Sequence, residues 1–184
     1  MVESNCITPK SRMREVLEAY PGAQRALFRR YHIGGCSSCA FQPEETLAQV
    51  CERNGKLNVD EVLGHIAASH EQDEQILIGP KELAEWVRQD PALRLVDVRC
   101  REEFEAVRMQ GSVLLSQPVM KEILAEGTNA RPLVIIDHQG KNALDAAAYF
   151  LGHGLQQVRC LRGGLDAWAR EVEPSMRRYR VEQG

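Results

Sequence analysis

Leu133-Val134-Ile135-Ile136-Asp137-His138-Gln139-Gly140-Lys141-Asn142 is the stretch on which the fold turns. Its first four side chains are all apolar and offer no polar member to water. They read as a strand buried on both faces, as in the interior of a parallel sheet. A polar loop with one glycine follows, and then an alanine-rich helix over residues 142–152. Working outward, strands and helices keep alternating. Upstream come a strand at 76–78 and a helix at Pro80–Gln89, with Leu83, Trp86 and Val87 facing inward. A strand at 93–98, a short helix at 102–108, a strand at 112–115 and a helix at 119–126 complete that side. Downstream lie a strand at Val158–Leu161 and a helix at 165–170. Five strands interleaved with helices predict an α/β unit, a mostly parallel sheet covered on both faces.

Residues 1–70 follow a different grammar. Thr8-Pro9 predicts a helix start, and Met13, Val16, Leu17 and Tyr20 form one apolar stripe ended by Pro21-Gly22. Ala26, Leu27 and Tyr31 mark a second helix that stops at Ile33-Gly34-Gly35. Pro43 predicts the start of a third, with Leu47, Val50 and Cys51 on one face. Asn58 with Glu61 resembles a capping box ahead of Val62, Leu63 and Ile66. This is a small all-α domain of about four helices. The polar run at 67–74 (AASHEQDE) reads as a linker, assigned to 71–75. The predicted division is therefore 1–70, a linker at 71–75, an α/β domain at 76–172 and a solvated tail at 173–184 carrying Arg177, Arg178 and Arg180.

Composition fits two small domains. The chain has 184 residues, 43% hydrophobic and 27% charged, which excludes a disordered, collagen-like or coiled-coil chain. A net charge of −3 argues against a nucleic-acid partner. No apolar run reaches the ~18–20 residues of a membrane span, so no membrane partner is expected. The N-terminal stretch MVESNCITPKSRMREV lacks a signal-peptide pattern, and the expected location is cytoplasmic. The six cysteines are irregularly spaced, which favours reduced thiols over a disulfide framework.

Several motifs carry a family resemblance. Leu95-Val96-Asp97-Val98-Arg99 followed by Glu103-Phe104, the segment Met109-Gln110-Gly111-Ser112, and Val158-x-x-Leu161-x-Gly163-Gly164-Leu165-x-x-Trp168 occur in the order and spacing of a rhodanese domain over 76–172. Read as residues alone, Asp97 and Arg99 organise a strand end, Gly163-Gly164 allows a tight turn, and Trp168 is a packing anchor. The resemblance implies an active-site loop after the fourth strand. Active members of that family open this six-residue loop with a cysteine and usually close it with arginine. Backbone N–H groups and a helix N-terminus there favour a thiolate or persulfide.

Here the loop is Asp137, His138, Gln139, Gly140, Lys141 and Asn142, with Asp137 at the cysteine position and Asn142 at the arginine position. A carboxylate cannot carry a persulfide. The resemblance thus implies a degenerate loop without cysteine-based sulfur transfer or phosphatase chemistry. Asp137 can cap the following helix and accept the loop's own N–H groups, or line a pocket for a cation or a partner's side chain. An acid–base pair with His138 lacks a third partner in the sequence. Cys100 and Cys160 fall at the C-terminal ends of strands, where α/β sites form. Cys100, between Arg99 and Arg101, is a thiol candidate or simply a small half-buried residue.

The helical half resembles a small domain of hybrid-cluster-associated disulfide oxidoreductases and the N-terminal domain of iron–sulfur cluster repair proteins. The matching residues are Glu15–Pro21, Leu27–Cys39 and Glu45–Cys51. Cys36-Ser37-Ser38-Cys39 has the spacing of a metal bidentate, an iron–sulfur cluster edge or a redox dithiol. Cys51 and His32 complete four ligands on paper, for zinc or a cluster, and thiols packed in a small core are the alternative. Cys6 sits on the loose N-terminal end. His65 and His70 read as surface histidines, and His153 ends the alanine-rich helix and interacts with its dipole.

The expected role is non-catalytic binding or regulation linked to sulfur, redox or iron–sulfur metabolism, with a protein of that metabolism as partner. A homo-oligomer is compatible with it. The alternative is a sulfurtransferase or thiol–disulfide relay through Cys36 and Cys39.

Overall fold

In the computed structural model, which describes residues 7–34, 41–127, 130–140 and 142–179, the buried strand at Leu133 is the centre of a five-stranded sheet. The elements in chain order are α1 (Met13–Ala19), α2 (Ala23–Tyr31), α3 (Leu47–Arg53), α4 (Val59–Ile76), β1 (Leu77–Ile78), α5 (Pro80–Gln89), β2 (Arg94–Asp97), α6 (Arg101–Ala106), β3 (Val113–Leu114), α7 (Gln117–Ala125), β4 (Leu133–Ile136), α8 (Ala143–Gly152), β5 (Val158–Leu161) and α9 (Gly164–Glu171). The chain divides into two compact units, Met1–Gln75 and Ile76–Gly184.

In the second unit the strand order is β1-β5-β4-β2-β3, and every pairing is parallel. The register places Leu95 beside Val134 and Asp97 beside Ile136, with Leu133 beside Val158 on the other side. Period-two alternation divides β4 between two cores. Leu133 and Ile135 pack with Ile123 of α7 and Leu144, Ala147 and Phe150 of α8. Val134 and Ile136 pack with Leu83 of α5 and Leu165 and Trp168 of α9. This is the α/β sheet with helices on both faces that the sequence predicts. Because all strands are parallel, the loops after β2, β3, β4 and β5 leave from one edge, where an α/β site forms.

The first unit buries Met13, Val16, Leu27, Leu47, Val50, Val62 and Ile66 in one core. Its helix starts differ from the predicted ones. α1 begins at Met13 rather than at Thr8-Pro9, and α3 at Leu47 rather than at Pro43. The two ends cap one another. Met13 and Arg14 donate their N–H groups to the carbonyls of Glu45 and Pro43, and Leu47 and Ala48 donate to Ser11 and Pro9. A turn closes ahead of each helix, Ser11 donating to the Thr8 carbonyl and Glu45 to that of Gln42, and the extended N-caps Arg12 and Thr46 form an antiparallel bridge.

The predicted linker at 71–75 is corrected: these residues are the last turns of α4. The stretch is polar but contains no proline or glycine, and it is tied to the rest of the unit. Asp73 pairs with Arg25 of α2, and the His70 ring meets Tyr20 edge-on at 5.0 Å. His65 is likewise not simply solvated, since its Nε2 lies 3.0 Å from the Ala26 carbonyl. No helix among the described residues is long and apolar enough to cross a membrane.

Candidate functional site

Asp137 leaves β4 with its carboxylate buried. The Gly140 N–H donates to Oδ1, while the N–H groups of Asn142 and Ala143 donate to Oδ2 at 2.7 and 3.2 Å. The last two are donors at the start of α8, which has no partners of its own for them. The carboxylate therefore acts as an internal anion, satisfying the loop and capping the helix at once. The backbone of the same loop serves α9, because the carbonyls of Asp137 and His138 accept the N–H groups of Leu165 at 2.8 Å and Asp166 at 3.1 Å.

Two glycines permit this double clamp. Gly140 has φ +85° and passes so near the next turn that a Cβ would lie 2.9 Å from the Gly163 nitrogen. Gly164 has φ +61°, and a Cβ there would meet the His138 carbonyl carbon at 2.5 Å. Gln139 is exposed at the loop's tip, and Lys141 lies outside the described residues.

A second cluster adjoins the loop. Asp97 at the end of β2 is buried and forked by Arg99, whose Nε and Nη2 donate to its two oxygens at 2.9 and 2.7 Å. Arg99 Nη2 also donates to the Val107 carbonyl at 2.7 Å. The pair organises the strand end as the sequence predicts. The remaining Arg99 donor, Nη1, reaches the hydroxyl of Tyr179, which in turn donates to Glu103 at 2.7 Å. The Tyr179 ring lies on the His138 imidazole, with centroids 4.4 Å apart and planes 34° apart. Arg178 forks Asp166 at 2.8 and 3.2 Å.

The expected solvated tail is corrected at Tyr179, which is half-buried, while Arg177 and Arg178 are exposed as expected. The segment folds back as a strap, Arg178 and Tyr179 lying against His138, Leu165, Asp166 and Ala169. A tyrosine inside a basic run was the only signal for it in the sequence.

The strap's electrostatics are consistent. Burial pushes the Tyr179 phenol up to about 12, and its bond to Glu103 adds to the rise against the pull of Arg99. Desolvation alone would raise Glu103, but the bonds from Tyr179 and Cys100 outweigh it and hold the carboxyl below its ordinary value. The bond from Arg178 holds Asp166 low.

The thiols are scattered. Cys100 is exposed at the N-cap of α6, its Sγ 3.3 Å from Glu103 Oε2. The Glu103 backbone N–H lowers its pKa, but the carboxylates of Glu103 and Glu102 and slight desolvation leave it raised. Such a cysteine is held as the thiol rather than the thiolate. Cys160 is fully buried and donates to the Ala143 carbonyl at 3.3 Å. Cys51 is buried in the first unit's core, and desolvation raises its pKa. His32, exposed, ends α2 in the left-handed conformation. Cys6, Cys36 and Cys39 lie outside the described residues. Among the described residues no three His, Cys, Asp or Glu side chains gather in a way that could hold a metal.

A parallel sheet in this order, with a loop after β4 gripped by two helix N-termini, defines the rhodanese class, and comparison with known proteins agrees. The family model for the rhodanese-like domain matches residues 79–171, and the chain belongs to that family. A thiosulfate sulfurtransferase GlpE of Pseudomonas syringae pv. syringae is 34% identical over 89 residues, covering 48% of this chain and 83% of the relative. A probable adenylyltransferase/sulfurtransferase MoeZ of Mycobacterium tuberculosis is 31% identical over 104 residues, 55% of this chain but 26% of the relative. The adenylyltransferase and sulfurtransferase UBA4 of Candida albicans is 25% identical over 170 residues, 88% of this chain and 38% of the relative. Among solved structures, the human single-domain sulfurtransferase TSTD1 aligns at a TM-score of 0.44 and 22% identity, over 52% of this chain and 96% of that one.

Proposed function

We propose that the rhodanese-like unit of this chain binds rather than turns over, in a role linked to sulfur, redox or iron–sulfur metabolism. The observation that carries this reading is the Asp137 carboxylate, which accepts the N–H groups of Gly140, Asn142 and Ala143. In the sulfur-transferring members that the loop resembles, such donors surround a cysteine sulfur. In this chain they are engaged by an oxygen anion that forms no persulfide. The sulfurtransferase names of the relatives support the sulfur connection.

The helical unit, similar to domains of iron–sulfur repair proteins, adds the Cys36–Cys39 pair as its thiol-bearing or cluster-binding part, facing a protein partner of the same metabolism. The spacing of that pair also favours a second reading, a sulfur or thiol–disulfide relay through Cys36 and Cys39.

Incubation with thiosulfate and cyanide, read by thiocyanate release and intact-protein mass, separates them. In the transfer step a thiolate takes the outer sulfur and sulfite leaves. The wild-type chain is expected to show no turnover and no sulfur adduct on the loop. Asp137→Cys is expected to gain one sulfur atom at residue 137. Turnover abolished by Cys36→Ser but retained in Asp137→Ala establishes the relay instead.

A further inference from the structure

The strap rests on groups that residues outside the strap also hold. Arg99 is fixed by Asp97 and by the Val107 carbonyl, both at 2.7 Å. The His138 backbone is held through its carbonyl, which accepts the Asp166 N–H at 3.1 Å. Asp166 sits in the first turn of α9, and Leu165 and Ala169 complete the floor. Two side chains occupy this shelf. Tyr179 lays its ring on His138 and places its hydroxyl between a donor, Arg99, and an acceptor, Glu103. Arg178 forks Asp166.

The shelf is specific, but the Arg178 part of its occupant is lightly held. The Arg178 side chain stays 54% exposed, so water screens its ion pair. With the strap in place the His138 Nδ1 atom is buried with no hydrogen-bond partner among the described residues, which costs free energy. A surface that other residues also hold can be taken over from a tethered occupant by a better one, provided the newcomer outcompetes the tether's effective concentration.

We propose that this shelf is a docking site for a protein segment in which a basic residue precedes a tyrosine, and that Arg178-Tyr179 of this chain fills it in cis. The inference rests on the reading of the loop as a binding site and names the partner's chemistry there. Selectivity follows from the phenol. Phenylalanine would leave Arg99 and Glu103 each short of a partner under the ring. A partner that also hydrogen-bonds His138 Nδ1 gains a bond that the strap does not make.

The test uses the full chain and a fluorescent peptide of residues 174–184, followed by anisotropy. Wild type and the double variant Arg178→Ala/Tyr179→Ala are titrated side by side. Both replaced side chains lie in the strap, outside the sheet and its cores. The double variant is expected to bind the peptide, and wild type to bind it at least about tenfold more weakly because the cis segment competes. The peptide carrying Tyr179→Phe is expected to bind the double variant at least about tenfold more weakly. Equal binding to both proteins, no binding to the double variant, or full binding of the Tyr179→Phe peptide overturns the proposal. Thiosulfate is absent from this assay, so failure here leaves the non-catalytic reading of the loop standing. Thiocyanate turnover by the wild-type chain would overturn that reading without touching the peptide result.

Discussion

Replacing Asp137 by asparagine keeps the shape of the side chain but turns one acceptor oxygen into a donor. One carboxylate oxygen faces the Gly140 N–H, the other faces Asn142 and Ala143. An amide can satisfy only one side and points N–H at N–H on the other. The expected cost is about 1–3 kcal/mol, read as a lowered midpoint in denaturant at unchanged slope. Asp137→Ala removes both acceptors and is expected to cost more. This role was legible, because an aspartate between an apolar strand and a helix has few better uses than capping. Tyr179 was not. Its partners Arg99 and Glu103 stand 80 and 76 residues away in the chain, and no local pattern encodes such contacts.

The strap's pH range follows from the groups that hold it. Glu103 and Asp166 titrate below their ordinary values of 4.5 and 3.8, so their contribution is present above those values. It is lost as the pH falls through the lowered ones. Tyr179 titrates above its ordinary 10.0, at about 12, so its contribution is present below 10.0 and is lost between there and about 12. Nuclear Overhauser contacts between the His138 and Tyr179 rings are expected at neutral pH and are expected to vanish below the carboxylate range. Phenolate absorbance should show one late-titrating tyrosine that Tyr179→Phe removes. A Tyr179 that titrates near 10 in the folded chain would contradict the closed strap.

At the scale of elements, the turn between β5 and α9 tolerates little. Gly163 and Gly164 both have positive φ, at +70° and +61°, and a Cβ on Gly164 would press into the backbone of the loop after β4 at 2.5–2.6 Å. Gly164→Ala therefore combines backbone strain with overpacking. The expected loss is about 2–5 kcal/mol, with the Asp137 bonds loosened, seen as faster exchange of the Gly140 and Ala143 amides. The glycine pair was visible in the sequence as a turn, but its contact with a loop more than twenty residues earlier was not.

The errors at helix ends have a related cause. Thr8-Pro9 and Pro43 carry good local start signals, yet the chain around each is spent capping the other helix. Thr46 with Gln49 forms the capping box that starts α3, and its T-x-x-Q spacing was available to be read. The 71–75 stretch failed as a linker because Asp73 is half of a largely buried ion pair, and polarity alone does not distinguish such a residue from a solvated one.

At the scale of the whole molecule, each unit closes its core on its own residues. The first core gathers Met13, Val16, Leu27, Leu47, Val50, Val62 and Ile66. The sheet is covered by Ile123, Leu144 and Phe150 on one face and by Leu83, Leu165 and Trp168 on the other. The change from helical to alternating grammar near residue 75 was plain in the sequence because hydrophobic period depends only on neighbours. The closure of the cores predicts where damage is felt. Leu27→Ala and Phe150→Ala each empty a fully buried site and are expected to cost about 2–5 kcal/mol in the unit that holds them. Native-state hydrogen exchange is the measurement that resolves units. Leu27→Ala should speed exchange of amides in α1 to α3 and leave those of β2, β4 and β5 at wild-type rates. Phe150→Ala should do the reverse. Uniform loss of protection along the chain in either variant would mean that the two cores open as one cooperative body.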